Sequence, residues 1–153
     1  MREILLSDEA ATCAFGATIA AALKPGDSVA LAGDLGAGKT ALARAMLRAL
    51  GVAEDVPSPT FTLVQHYEPP RLNIDHFDLY RIEDESEIEQ LGLDESLLNG
   101  AALIEWPERA GTRLPAGALH IKMEIAGEHC RRARVSGPAE WASRLHGSER
   151  HES

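Results

Sequence analysis

The sequence predicts an α/β domain on a mixed parallel and antiparallel sheet, arranged in three layers. Three observations predict it. In the first half, short apolar runs alternate with helix-like segments, the order that builds parallel strands. Between residues 61 and 79, two β-rich segments flank Pro69-Pro70, the pattern of an antiparallel hairpin. Further on, Leu119, Ile121, Met123 and Ile125 alternate with His120, Lys122 and Glu124, the period of two of a half-exposed strand.

The elements follow in order. Ile4 to Leu6 suits a short strand. Ser7 is read as the N-cap of a first helix, with Asp8 and Glu9 in its first turn, where the helix dipole favours acids. That helix runs to about Leu23 and ends in a turn, Lys24-Pro25-Gly26-Asp27. Ser28 to Ala32 is a small apolar run, read as a buried strand. A glycine-rich loop comes next, then a helix from Lys39 to Leu50 with Gly51 closing it. Two prolines within Val56 to Pro59 exclude regular helix there. Phe61 to Tyr67 and Asn73 to Leu79 are the hairpin strands. Asp84 to Leu91 and Asp94 to Leu98 read as short acidic helices, and Ala101 to Ile104 as a second buried strand. Arg131 to Val135 pairs with the alternating strand, and Pro138 to Leu145 forms a last helix. Residues 1–146 are therefore read as one domain and 147–153 as a polar tail, expected to be disordered.

Composition narrows the function classes. The chain of 153 residues carries a net charge of −9, which argues against broad, unassisted nucleic-acid binding, since that needs a cationic footprint. The cysteines Cys13 and Cys130 sit in no metal spacing and suit a reducing compartment. The N-terminal residues reach acids too soon for a signal peptide, and the alanine-rich run from Ala10 to Leu23 is too short and too weakly apolar to span a bilayer. A cytoplasmic protein without membrane contact is expected.

The glycine-rich loop carries the chemistry. Gly33-Asp34-Leu35-Gly36-Ala37-Gly38-Lys39-Thr40 fits G-x-x-x-x-G-K-[ST] at every specified position. Glycines let the backbone approach phosphate oxygens, and the loop N–H groups form an anion nest above a helix N-terminus. In this pattern the lysine, Lys39, reaches the β- and γ-phosphates and the Thr40 hydroxyl can ligate Mg²⁺. A chance glycine-rich turn would not have a buried strand immediately before it and a helix immediately after it. The prediction is a single P-loop NTPase domain. No Asn-Lys-x-Asp guanine-reading motif is present, which favours ATP over GTP.

Such a loop needs an acid at the end of a neighbouring strand. Glu105 closes Ala101 to Ile104 in the manner of a Walker-B acid. Asp78 lies near the end of the second hairpin strand. Each competes with the plain reading of a surface carboxylate. Thr60, in Ser58-Pro59-Thr60-Phe61, could sense a γ-phosphate as switch loops do, or simply bond its own backbone in a proline turn. His76 could be a base or a sensor, although a lone histidine is more often structural. Asp75 points to the opposite strand face from its neighbours. Trp106 could wall the site, but packing on Pro107 is the preferred reading. The run Glu83 to Glu89 is most simply a solvated face. The cluster Arg131-Arg132-Ala133-Arg134 could meet nucleotide, RNA or a partner, or protect a strand edge by charge.

Four segments in this order resemble a known family: the loop at 33–40; Ser58-Pro59-Thr60-Phe61-Thr62-Leu63-Val64; His76-Phe77-Asp78-Leu79-Tyr80-Arg81; and Ile104-Glu105-Trp106-Pro107-Glu108. Together, over about Asp8 to Val135, they resemble the TsaE (formerly YjeE) family, small bacterial ATPases of tRNA threonylcarbamoyladenosine biosynthesis. The resemblance implies an ATP- and Mg²⁺-dependent protein that hydrolyses ATP but does not itself modify tRNA. It implies TsaD and TsaB homologues as partners and tRNA contact only through that complex; the oligomeric state is left open, with a monomer expected when free. TsaD transfers the threonylcarbamoyl group to adenosine 37 of tRNAs reading ANN codons. Carried over by position, Lys39 and Thr40 contact phosphate and Mg²⁺, Glu105 completes the Mg²⁺ site, Asp78 is needed for hydrolysis and Thr60 matches a switch-like threonine. One departure stands out. The family often has a second threonine after the loop threonine, where this chain has Ala41, and a modest loss of nucleotide affinity is expected from it. A small-molecule kinase of P-loop type and a non-catalytic nucleotide-binding adaptor are the alternative readings. The first is disfavoured because no arginine-rich lid is evident, the second because binding alone would not need Lys39, Thr40, Asp78 and Glu105 together.

Overall fold

The computed structural model describes residues 2–57, 59 and 62–152, with side chains as far as Leu145. Strands β1 (Arg2–Leu6), β2 (Ser28–Ala32), β3 (Val64–Tyr67), β4 (Asn73–Asp78), β5 (Gly100–Glu105), β6 (Leu119–Ile125) and β7 (Arg131–Ser136) form one sheet in the order β1-β7-β6-β2-β5-β4-β3. Its centre, β6-β2-β5-β4, is parallel. The hairpin strand β3 joins one side antiparallel, and β7 with β1 extends the other antiparallel. The mixed sheet is the one the sequence predicts.

Helices α1 (Glu9–Ala22), α2 (Lys39–Leu50) and α5 (Ala139–Glu152) cover one face, where Ile19, Leu42, Met46, Leu47 and Trp141 pack on Val29, Leu31, Leu103 and Ile121. Helices α3 (Glu87–Leu91) and α4 (Leu93–Asn99) and a 3₁₀ segment (Pro107–Arg113) cover the other, where Ile88, Leu93 and Ala110 pack with Phe77, Ala102 and Ile104. These are the three expected layers. Strands β2 and β5 are almost wholly buried because both their faces are covered, which is why they read as unbroken apolar runs. Strand β6 alternates buried and exposed residues because its second face meets solvent.

Several boundaries differ from expectation. The N-cap of α1 is Asp8, not Ser7: Asp8 is extended and its carboxylate accepts from the Ala11 N–H at 2.8 Å, a charge-assisted bond that a serine hydroxyl one position earlier does not make. Strand β3 begins at Val64 rather than Phe61, since Leu63 takes a left-handed conformation with φ 68° that ends pairing. The 3₁₀ segment after Trp106 has no counterpart in the sequence reading. The backbone of α5 continues to Glu152. Residues 147–153, read as a polar tail, lie where side chains are not described.

The arrangement positions the site. Strands β2, β5 and β4 run parallel, so their C-terminal ends share one edge of the sheet, the edge at which open α/β sheets bind ligands.

Candidate active site

The loop at 33–38 links β2 to α2 at that edge. Gly33, Gly36 and Gly38 have φ of 138°, 81° and 102°, values that disfavour any side chain. At Gly33 space forbids one as well, because a Cβ would stand 2.4 Å from the Met123 carbonyl oxygen. The loop therefore lies against β6, and α2 begins directly beneath it. Its first N–H groups have no partner within the helix and its dipole is positive at this end, so the loop is prepared for an anion. Asp34, Leu35 and Gly36 form the exposed rim, while Ala37 is buried and anchors the turn through its N–H to the Asp34 carbonyl at 3.1 Å.

Lys39 is 5% exposed. Its ammonium donates to the Gly33 carbonyl, reaches the Asp34 carbonyl at 3.5 Å, and stands 3.5 Å from the centroid of the Trp106 ring. Burial pushes its pKa down, opposed by the negative charges of Glu105, Glu108, Asp78 and Asp34.

Asp78 and Glu105 are the last residues of β4 and β5, are paired directly in register, and are each 2% exposed. Thr40, in the first turn of α2, donates its hydroxyl to both Glu105 oxygens, at 3.0 and 3.1 Å. The hydroxyl proton is thus committed to the carboxylate, which leaves the Thr40 oxygen lone pairs free for a cation. Asp78 accepts from the Tyr80 N–H at 2.9 Å. Asp75 lies on the opposite face, as the strand period requires, where it binds His66 and Ser96.

The donor set is oxygen only: one hydroxyl and two carboxylates. It suits Mg²⁺, which keeps several waters and takes phosphate oxygens rather than a full protein cage. Among the described residues, no group of three His, Cys, Asp or Glu side chains is placed to hold an ion by itself.

A cavity of about 360 Å³ is lined by Gly38, Lys39, Thr40, Asp78, Glu105 and Trp106. A second groove, about 1030 Å³, continues from it past Ala41 and Arg131 to Glu9, Thr12 and Cys13 on α1. Glu9, Thr12 and Arg131 therefore share one groove. Arg131 borders both spaces and donates to the Gly36 carbonyl at 3.4 Å. The rest of its cluster does the plainer job: Arg132 pairs with Glu3 and Arg134 with Glu124, each at 2.7 Å.

Thus Lys39, Thr40, Ala41, Asp78 and Glu105 come together with the loop. Thr60 lies outside the described residues, as do Ser58 and Phe61. The reading of Trp106 as packing is corrected. Its ring touches the cluster around Phe77 but also forms the wall beneath Lys39, tilted against Tyr80 at 4.8 Å between centroids. A left-handed backbone at Trp106, φ 59°, turns the ring back over the site. Among the described residues, Trp106 and Leu63 are the non-glycine positions with positive φ. They flank the acids, Trp106 following Glu105 and the Leu63 carbonyl accepting from the Asp78 N–H at 2.9 Å. Sequence alone offered one signal for Trp106, its place directly after the strand-ending acid.

Fold and loop together define a P-loop α/β domain. The family model described as "Threonylcarbamoyl adenosine biosynthesis protein TsaE" matches residues 6–134. A Bacillus subtilis (strain 168) protein named tRNA threonylcarbamoyladenosine biosynthesis protein TsaE is 43% identical over 118 residues, 76% of this chain and 73% of that protein. A Rickettsia bellii protein of the same name is 36% identical over 135 residues, 88% of this chain and 94% of the other. The crystal structure of Bacillus subtilis YdiB superposes with a TM-score of 0.84 at 30% identity, over 99% of this chain and 96% of that one. The chain belongs to the TsaE family. Among the described residues no helix is long and apolar enough to cross a membrane.

Proposed function

We propose that this chain is an Mg²⁺-dependent ATPase that serves threonylcarbamoyladenosine modification of tRNA by acting on a complex of TsaD and TsaB homologues. The observation that carries the ATPase reading is the Thr40–Glu105 hydrogen bond beneath the phosphate loop, with Asp78 beside it. The pathway follows from family membership. The net charge of −9 agrees with tRNA contact through the partners rather than directly.

In this reading the loop N–H groups and the start of α2 bind the β- and γ-phosphates, and Lys39 exchanges the Gly33 and Asp34 carbonyls for phosphate oxygens. Thr40 and Glu105 hold the cation, which neutralises charge on the phosphates when bound. Asp78, fixed by the Tyr80 N–H, orients a water toward the γ-phosphorus. The water oxygen bonds to phosphorus, the bond to the β–γ bridging oxygen breaks, and ADP and phosphate leave. The groove beside α1 has room for the nucleoside, with Ala41 and Arg131 at its entrance. Thr60 is assigned the γ-phosphate-sensing role that family position implies.

The experiment is phosphate release by the purified chain, first alone and then with TsaD–TsaB. Slow turnover that responds to the partners is expected. Rapid transfer to a metabolite would make the chain a small-molecule kinase, and ATP binding without any hydrolysis would make it an adaptor.

A further inference from the structure

His76 has no assigned task, is 0% exposed, and does not line the phosphate cavity. It lies on β4 opposite Leu103, two positions before Asp78, on the face that carries Glu105. Its Nε2 stands 2.6 Å from Glu105 Oε2. Its Nδ1 is buried and, among the described residues, without a hydrogen-bond partner.

These facts fix what the ring does. An ionised carboxylate only accepts hydrogen bonds, so His76 must donate through Nε2–H. Burying an imidazole with one nitrogen unsatisfied costs free energy that an apolar residue of similar size would avoid. The position therefore gains something other than packing. The need is visible at Glu105. Its direct cross-strand partner is Asp78, a like charge, and like charges directly opposite repel. Left alone, the Glu105 carboxylate has reason to rotate away from Asp78, towards the Lys39 ammonium that it also attracts. The His76 bond takes Oε2 from below while Thr40 takes both oxygens from the loop side. The carboxylate is held between a buried strand and the first turn of α2.

We propose that His76 is a positioning residue that orients Glu105 through Nε2–H so that Glu105 and Thr40 present a ready cation site. The proposal deepens the ATPase reading and depends on it for the site's use. Partners that orient metal-binding groups in this way typically alter metal affinity by about 10- to 100-fold when removed.

The test compares His76→Leu, which keeps bulk but no donor, with His76→Gln, whose amide N–H can occupy the place of Nε2–H. Mn²⁺ binding to the ADP-loaded chain is read by electron paramagnetic resonance, and ADP binding in EDTA is read separately. His76→Leu should weaken Mn²⁺ binding by about tenfold or more with ADP affinity in EDTA unchanged, and His76→Gln should restore most of it. Wild-type Mn²⁺ affinity in His76→Leu, or an equal loss in both variants, would overturn the proposal. Should His76→Leu not fold, nitrogen NMR of the wild-type ring decides. An Nε2-protonated His76 whose signals move when Mg²⁺ joins the nucleotide complex supports it, and an Nδ1-protonated or unresponsive ring overturns it. A chain that binds Mn²⁺ with ADP and obeys this pattern but never hydrolyses ATP would sink the ATPase reading alone.

Discussion

The Lys39 ammonium lies 3.5 Å from the centroid of the Trp106 ring while donating to the Gly33 carbonyl. A buried cation on an aromatic face is held electrostatically, by about 2 kcal/mol or more where water is excluded. That contact must loosen if Lys39 is to reach phosphate. Nucleotide binding is therefore expected to change Trp106 emission in a fluorescence titration, with no change in Trp106→Phe. Lys39→Ala should lose about a hundredfold in ATP affinity, since a charge-assisted bond is worth about 1.5–3 kcal/mol and each 1.4 is tenfold. Retained affinity in Lys39→Ala would show that the loop N–H groups suffice.

Glu105 and Asp78 are distinguishable. Glu105→Ala removes the acceptor of both Thr40 and buried His76, so it should fold but lose about 1–3 kcal/mol in urea denaturation. Asp78→Asn keeps an acceptor for the Tyr80 N–H and should be closer to wild type in stability. Both should lose phosphate release. Glu105→Ala should in addition lose the Mg²⁺ dependence of nucleotide binding, which Asp78→Asn should keep. Unchanged turnover in either variant would remove that acid from the site.

His66 gives a pH prediction away from the site. Its imidazole bonds Asp75 at 2.5 Å and Glu68 at 3.0 Å, and these acceptors, Asp75 first, raise its pKa above the ordinary 6.5. The added stability is fully present below pH 6.5, the unfolded value, and is lost as pH rises through the higher folded value. His66 is half exposed, so water screens the pair and the effect should stay under about 1 kcal/mol. Urea midpoints measured across this range should fall in the wild type and stay flatter in His66→Asn. Equal slopes would remove His66 as the cause.

The fold was legible wherever a residue's environment is set by its own strand or helix. Ser28 to Ala32 and Lys39 to Leu50 have the observed bounds because a doubly covered strand must be apolar throughout and a glycine with φ 108° at Gly51 ends the helix. The placement of the loop, Glu105 and Asp78 at one edge of the sheet was legible because each sits at the end of a strand read from its apolar pattern. Trp106 and His76 were not. Trp106 is turned over the site by a left-handed backbone that its place after the strand-ending acid does not foretell, and His76 meets Glu105 through a diagonal contact between β4 and β5, strands distant in sequence. The close approach of α1 to α2 was equally hidden: a Cβ on Gly16 would stand 2.6 Å from the Ala45 Cβ, yet the sequence shows only a small residue within a helix.

Ala41 and Arg131 meet where the cavity beside the glycine-rich loop opens into the groove beside α1. Ala41 is exposed and brings no polar side-chain atom to this junction. Arg131 reaches it from β7, its guanidinium bonding the Gly36, Gly127 and Cys130 carbonyls at 3.4, 3.4 and 3.1 Å. All three acceptors are neutral and two of the bonds are long, so a phosphate oxygen would be the stronger partner. Two opposite outcomes follow. Ala41→Thr adds a hydroxyl at the junction, and a hydrogen bond worth about 0.5–1.5 kcal/mol should tighten ATP binding by about 3- to 10-fold. Arg131→Ala removes the cation and should weaken ATP by about tenfold while affecting adenosine less, because the lost partner is phosphate. Calorimetric titration of both ligands against both variants checks the pair. Equal losses for ATP and adenosine in Arg131→Ala would move Arg131 from the phosphates to the base, and unchanged ATP affinity in Ala41→Thr would remove position 41 from the nucleotide site.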